Sequence, residues 1–117
     1  MEQERLFSVR TEGEVKVVAF EAKSLGIEIA PRLYAGLAAV VKGIEAPKVL
    51  LLLEGVSFIS SPSIGAIINL NNLVKKAAGV VKAASLSPYV QETFRVLNLE
   101  KAISVYPDEK TALASFA

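Results

Sequence analysis

Leu51-Leu52-Leu53-Glu54-Gly55-Val56-Ser57-Phe58-Ile59-Ser60-Ser61-Pro62-Ser63-Ile64-Gly65-Ala66-Ile67 joins an aliphatic run to a helical pattern. The run itself, Val49 to Leu53, is short and wholly apolar, the mark of a central strand buried on both faces. Past Ser60-Ser61-Pro62-Ser63 the spacing predicts a helix over about 63–78, with Ala66, Ile67, Leu70, Leu73, Val74 and Ala77 turned to the core. Gly65, Asn69, Asn72 and Lys76 form a polar stripe on its other side, and Gly79 is placed to close it. A buried strand that feeds directly into an amphipathic helix is the repeating unit of an α/β fold.

Working outward, the same alternation continues in both directions. Phe7 to Arg10 and Val15 to Phe20 read as strands, joined through Thr11-Glu12-Gly13-Glu14 as a hairpin turn. Gly26 and Pro31 punctuate a connection. Pro31 then opens a helix over about 31–45, with Leu33, Leu37, Val40, Val41 and Ile44 at helical spacing and Pro47 ending it. On the other side, Val80 to Leu86 reads as a strand. Pro88 starts a helix facing inward with Val90, Phe94 and Leu97, Ile103 to Tyr106 forms a brief strand, and Asp108 caps a last helix carrying Leu113 and Phe116. The order β-β-α-β-α-β-α-β-α implies an α/β domain with a mixed, mainly parallel sheet and helices packed against it. No linker or repeat divides the chain, and a single domain over residues 1–117 is expected.

Composition removes whole classes of function. The 117 residues contain no Cys and no His, which excludes a thiol nucleophile, a Cys or His zinc site and an imidazole base. A catalytic serine would lack its usual partner, so no enzyme activity is expected. Neither a phosphate-binding Gly-x-x-x-x-Gly-Lys loop nor a Gly-x-Gly-x-x-Gly turn occurs, no acidic cluster suggests a metal, and no cofactor is expected. Thirteen basic against twelve acidic residues leave no charge excess for direct nucleic-acid binding, and five Phe, three Tyr and no Trp make a poor base-stacking platform. The charged start, Met1 to Arg5, is followed by no apolar stretch, and no run approaches the roughly 20 residues of a membrane span. A cytoplasmic location is the expectation.

The chemistry that remains is concentrated at the strand-to-helix junction. A helix N-terminus carries partial positive charge and free N–H groups. Ser61 followed by Pro62 fits an ordinary helix start, a capping hydroxyl and then proline. It also fits a modification site, because a phosphoryl group there would bring almost two negative charges into that field without refolding the domain. Ser60 and Ser63 read as turn and first-turn polar residues. Asn69 and Asn72 are poor helix formers, which points weakly to an interaction face, and Tyr34 and Tyr89 read as boundary packing.

Val56, Phe58, Ile59, Ser61, Ile64 and Gly65 fall in register with a family pattern, Val-x-Phe-Ile/Met-Asp-Ser-Ser/Thr-Gly-Leu/Ile-Gly between a strand and a helix. The ending also fits, with Val96-Leu97-Asn98-Leu99 and then Ile103 to Leu113. On these residues the chain resembles the STAS domains, and among them the bacterial anti-sigma factor antagonists. The resemblance implies a protein-binding switch. The serine matching Ser61 is phosphorylated by an anti-sigma factor that is also a serine kinase, the unphosphorylated form binds that factor, and a phosphatase resets the system. It also implies a partner surface of Ser60, Ser61, Pro62 and Ser63 together with Gly65, Asn69, Asn72 and Lys76. The chain departs from the pattern where Ser60 stands for Asp, Pro62 for a hydroxyl residue and Ser63 for Gly, and where Leu52 takes the place of an acidic residue late in the central strand. These departures keep a second reading open, a non-switching scaffold or accessory subunit of a stressosome-like or lipid-transport complex. A third, a small-molecule sensor or hydrolase on the same fold, is more distant.

Overall fold

The computed structural model describes residues 5–116; Met1 to Glu4 of the charged start, and Ala117, lie outside them. Strands β1 (Phe7–Glu12) and β2 (Val15–Phe20) form the expected hairpin, with Glu12 opposite Val15. Its two-residue loop has Gly13 at φ +62, the left-handed conformation that a tight turn needs at its first position. A short strand β3 (Ser24–Leu25) and a single turn of 3₁₀ helix lead into α1 (Ala30–Val41). Then follow β4 (Lys48–Leu52), β5 (Phe58–Ile59) and α2 (Ser61–Lys76). The chain continues through β6 (Val80–Ala84), α3 (Pro88–Val96), a second 3₁₀ turn, β7 (Ser104–Tyr106) and α4 (Glu109–Ala114).

The main sheet has the order β1-β2-β4-β6-β7, and only the β1–β2 pair is antiparallel. β4 lies at its centre, and Val49, Leu50 and Leu51 are fully buried. Val49 and Leu51 join the large core with residues of α1, α2 and α3, while Leu50 joins Val15, Val17, Ala84 and Ala112 on the opposite face. Three helices therefore cover one face and α4 the other.

β3 and β5 make a separate parallel ladder of two residues each, Ser24 with Phe58 and Leu25 with Ile59. No periodicity announces it, because two residues are too few to show an alternation. Its function is positional: it ties the segment entering α2 to the segment entering α1.

Several helix ends differ from the sequence reading. α1 stops at Val41, because Gly43 takes φ +76 and turns the chain there rather than at Pro47. Leu97 was expected in the core but is about half exposed. α3 ends at Val96 and Asn98 adopts a left-handed conformation, so Leu97 no longer follows the helical phase. On α2, Leu73 faces outward and Asn71 is buried in its stead, with its side-chain oxygen unpartnered among the described residues.

Gly79 has a different task from the one its position suggested. The left-handed residue after α2 is Ala78, at φ +65. Ala78 N–H donates to Lys75 O (3.0 Å) and Gly79 N–H to Val74 O (2.9 Å), which is the Schellman closure. Gly79 is required by space: a Cβ on it would stand 2.1 Å from the Pro47 carbonyl oxygen.

α4 is a short helix held at both ends. Asp108 caps it by accepting from Thr111 N–H at 2.7 Å, as expected, and Arg10 pairs with Glu109 in its first turn. At the other end Lys82, from β6, donates to the Ser115 carbonyl (2.9 Å) and hydroxyl (2.8 Å) while its ammonium lies 4.5 Å from the Phe116 ring centre. Negative charge thus stands at the N-terminus and positive charge at the C-terminus, as the helix dipole favours. The hydrogen bond with Ser115, and then the charge of Lys82, hold the Tyr106 phenol below its usual range.

Two adjacent substitutions should act in opposite directions. Ala78→Gly relieves a left-handed alanine and should raise stability by roughly 0.5–1 kcal/mol. Gly79→Ala drives a methyl group into backbone and should destabilise by about 1–3 kcal/mol. Chemical denaturation of both variants checks the pair. A third expectation concerns pH. The bond from Thr111 N–H lowers the Asp108 pKa in the folded state, so its contribution is complete above the ordinary Asp range and is lost as pH falls through the lowered folded value. The stability gap between wild type and Asp108→Ala should be widest near neutral pH and narrow as pH falls below the ordinary Asp range; thermal unfolding across acid and neutral pH measures it.

Candidate functional site

The junction between β4 and α2 is built by the local backbone. Gly55, at φ +88, turns the chain after β4. Ser57 N–H donates to Lys23 O and Ser60 N–H to Leu25 O, each at 2.8 Å, so the loop is fastened to β3 on both sides of β5. The chain reaches Ser60 in an extended conformation (φ −76, ψ 161) and there enters the helix.

The three serines then separate by role. Ser60 is the cap: its Oγ accepts from Ser63 N–H at 3.3 Å and its carbonyl from Ile64 N–H at 2.9 Å. The sequence assigned that role to Ser61, but Ser61 is the first helical residue, one position further on, and Pro62 is the second. Ser63 is fully buried, and its hydroxyl donates to Gly26 O at 3.1 Å. Ser61 alone of the three is exposed, and its hydroxyl makes no hydrogen bond among the described residues.

The eight residues expected to meet a partner accordingly divide. Ser60 and Ser63 lie beneath the surface and shape it from below. Ser61, Pro62, Asn69, Asn72 and Lys76 are exposed, and Gly65 is half-buried. A shallow hollow of about 440 Å³ brings Pro62, Gly65 and Asn69 together with Ile27 of the first 3₁₀ turn and Pro31 and Tyr34 from the start of α1. A Cβ on Gly65 would meet nothing within 4 Å, so no contact in the chain calls for a glycine there. Asn72 and Lys76 lie further along α2. Beyond Tyr34 a larger hollow, about 650 Å³, opens between the ends of α1 and α2 against Ile44, Pro47 and Leu73.

A third hollow, about 320 Å³, lies on the other side of Ser61. Ile59 and Ile64 line it with Ser61, α3 contributes Tyr89, Glu92 and Val96, and Leu97 follows just past its end. Phe58 is exposed close by, its ring 6.0 Å from that of Tyr89 and nearly parallel to it. This apolar ground escaped the sequence reading, which placed Leu97 in the core and Tyr89 at its boundary. The usable signal was Phe58 itself, an aromatic on the outer side of a strand whose neighbour Ile59 is buried.

Arg95 holds Glu92 ionised by a side-chain hydrogen bond and lowers its pKa. Ser61 therefore shares its hollow with a carboxylate. Among the described residues no group of acidic side chains is arranged to hold a metal ion, and no helix is long and apolar enough to cross a membrane.

Comparison with known proteins places this arrangement. No match is found among curated protein sequences. Among solved structures, an anti-sigma-factor antagonist (STAS) domain protein from Planctomyces limnophilus is 28% identical, with a TM-score of 0.86 over 95% of this chain and 97% of that one. Bacillus SpoIIAA in its phosphorylated form shares the fold at 17% identity and a TM-score of 0.73, over 95% and 99% of the two chains. The murine anion transporter Slc26a9 matches over 90% of this chain but only 18% of its own, at 17% identity and a TM-score of 0.75. The model of the STAS domain family matches residues 5–112, and the chain belongs to that family.

Proposed function

We propose that this chain is an anti-sigma factor antagonist. It binds an anti-sigma factor with serine kinase activity through the exposed start of α2, and phosphorylation of Ser61 releases that partner. The observation that carries the reading is the separation of Ser60 from Ser61. The helix is capped by one hydroxyl while the next stands free at the surface, so modification of Ser61 leaves the cap intact.

The local electrostatics favour a switch that acts on the partner rather than on the fold. Of the first three N–H positions of α2, Pro62 has none and that of Ser63 is taken by Ser60. A phosphate on Ser61 would find few backbone donors of its own and would keep nearly two negative charges facing outward, near Glu92. An approaching protein surface would have to desolvate that charge. The likeness to structures of anti-sigma factor antagonists supports the reading at the level of the fold.

The test is direct. Ser61→Asp adds a charge at a position where a helix tolerates acids, so α2 should remain folded. It should weaken binding to a purified serine-kinase anti-sigma factor of the same organism by about tenfold or more, while Ser61→Ala should bind as wild type does. Phosphate mapped on the protein isolated from its own cells should lie on Ser61 and vary with growth condition. Equal binding by the two variants, with Ser61 unmodified throughout, would instead favour a non-switching scaffold or accessory subunit.

A further inference from the structure

We propose that the hollow between the C-terminal ends of α1 and α2 binds an amphiphilic monocarboxylate, with its carboxylate on the Lys42 ammonium and an alkyl chain of roughly ten carbons laid along α1. The site lies at the far end of α2 from Ser61 and does not depend on the function proposed above. At about 650 Å³ it falls within the size range of small-molecule sites, roughly 300–1,000 Å³.

The walls are held by the backbone. α1 stops at Val41 and the chain turns at Gly43, so Ile44 closes the end of the hollow, its N–H donating to Val41 O at 3.1 Å. Ala46 N–H donates to Ala77 O and Val80 N–H to Pro47 O, each at 2.9 Å, which ties the segment carrying Pro47 to the end of α2 and to β6. Between these walls the lining is small: Ala35, Ala38 and Ala39 come from α1, and Ala77 follows α2 beside Leu73. Alanine is depleted at protein interfaces, whose anchors are aromatic side chains and Arg. A trough of alanines between fixed walls suits an alkyl chain better, because the site itself needs no ordering.

Charge selects the head group. Lys42 is the one charged side chain on the lining, and it makes no ion pair or hydrogen bond among the described residues. The helix dipole favours a cation at the end of α1, which accounts for a lysine there but not for the apolar trough beside it. The same dipoles limit the charge of the ligand. Phosphate sites use helix N-termini or Arg forks, whereas two helix C-termini point their carbonyls at this hollow and disfavour a dianion. One ammonium matches one carboxylate. Tyr34 and Lys42 mark the two ends of the trough, eight residues apart in the chain, or about 12 Å along a helix. An extended chain advances about 1.2 Å per bond, which sets the length at roughly ten carbons.

Isothermal titration with decanoate, hexanoate and decylammonium tests the site in wild type, Lys42→Gln and Ala39→Phe. Lys42 and Ala39 are exposed, so both variants should melt close to wild type; if Ala39→Phe does not, Ala35→Phe, also exposed, takes its place. Decanoate should bind wild type saturably. Hexanoate, which leaves much of the trough empty, should bind about tenfold or more weakly. Decylammonium on wild type, and decanoate on Lys42→Gln, should each lose about tenfold. Ala39→Phe fills the trough and should abolish binding. No saturable binding of decanoate, or binding that the filled trough leaves unchanged, would overturn the site. Equal affinity for decylammonium would overturn the pairing of Lys42 with a carboxylate. Capture of the chain by phosphatidylglycerol vesicles, with no titration by decanoate, would assign the hollow to a membrane surface and overturn the free ligand. None of these outcomes bears on Ser61, whose role is read from partner binding.

Discussion

β4 must be covered on both faces, and the remaining architecture follows from that requirement. Val49 and Leu51 point one way and Leu50 the other, with none of the three exposed. On one side α1, α2 and α3 supply the cover. On the other the cover is α4, six residues long, which is too short to be stable by its own hydrogen bonds. Its clamps explain how so small an element holds. Asp108 satisfies its first turn, Arg10 reaches Glu109 from the edge strand, and Lys82 closes its C-terminus from the sheet beneath. Lys82 emerges from a strand that is otherwise almost wholly apolar on its buried side, and this charge-assisted capping is the physical reason for a cation there.

The strand order has a functional consequence. β2, β4, β6 and β7 succeed one another in a single direction across the sheet. Ligand crevices in parallel α/β sheets arise where that direction reverses and helices diverge to opposite faces. Here the three crossover helices share one face, and the C-terminal end of β4 leads instead to a turn, a two-residue ladder and the start of α2. What this end of the molecule offers is a firmly held edge with shallow hollows on either side of one serine. Such ground suits a protein surface better than an enclosed substrate.

Much of this was legible in the chain. Long periodic elements leave a repeated signature, so β2, β4, α1 and α2 were visible, and the junction before α2 stood out as the place where chemistry collects. What escaped the sequence was decided by contacts between distant segments. Gly79 read as a conformational cap because glycine usually serves that way, but it is the approach of Pro47, more than thirty residues earlier, that excludes a side chain. The β3–β5 ladder joins residues 24–25 to 58–59 and has no local period. The choice between Ser60 and Ser61 as the cap depended on one residue of phase, which Leu25 fixes by accepting from Ser60 N–H. The α3 hollow was hidden for a related reason, since Leu97 fits an apolar face only if the helix continues past Val96.

The exchange of Asp for Ser at position 60 gains a physical meaning from this geometry. Both side chains cap helices well, because each presents an oxygen to an N–H two or three residues on. They differ in charge. A carboxylate cap would stand one residue from the proposed phosphoacceptor, Ser61, and would add its charge to that of a phosphate there. Ser60 satisfies the same N–H while remaining neutral and nearly buried. A neutral cap at Ser60 adds no charge to the ridge, and in the switch proposed above a phosphoryl group on Ser61 would bring nearly two negative charges to it, beside the Glu92 carboxylate that already lines the hollow. The contrast between the two states is as large as with an aspartate, but the resting ridge carries one carboxylate fewer. The neutral cap at Ser60 and the largely apolar hollow of β5 and α3 thus lie side by side at the junction, with Ser61 between them.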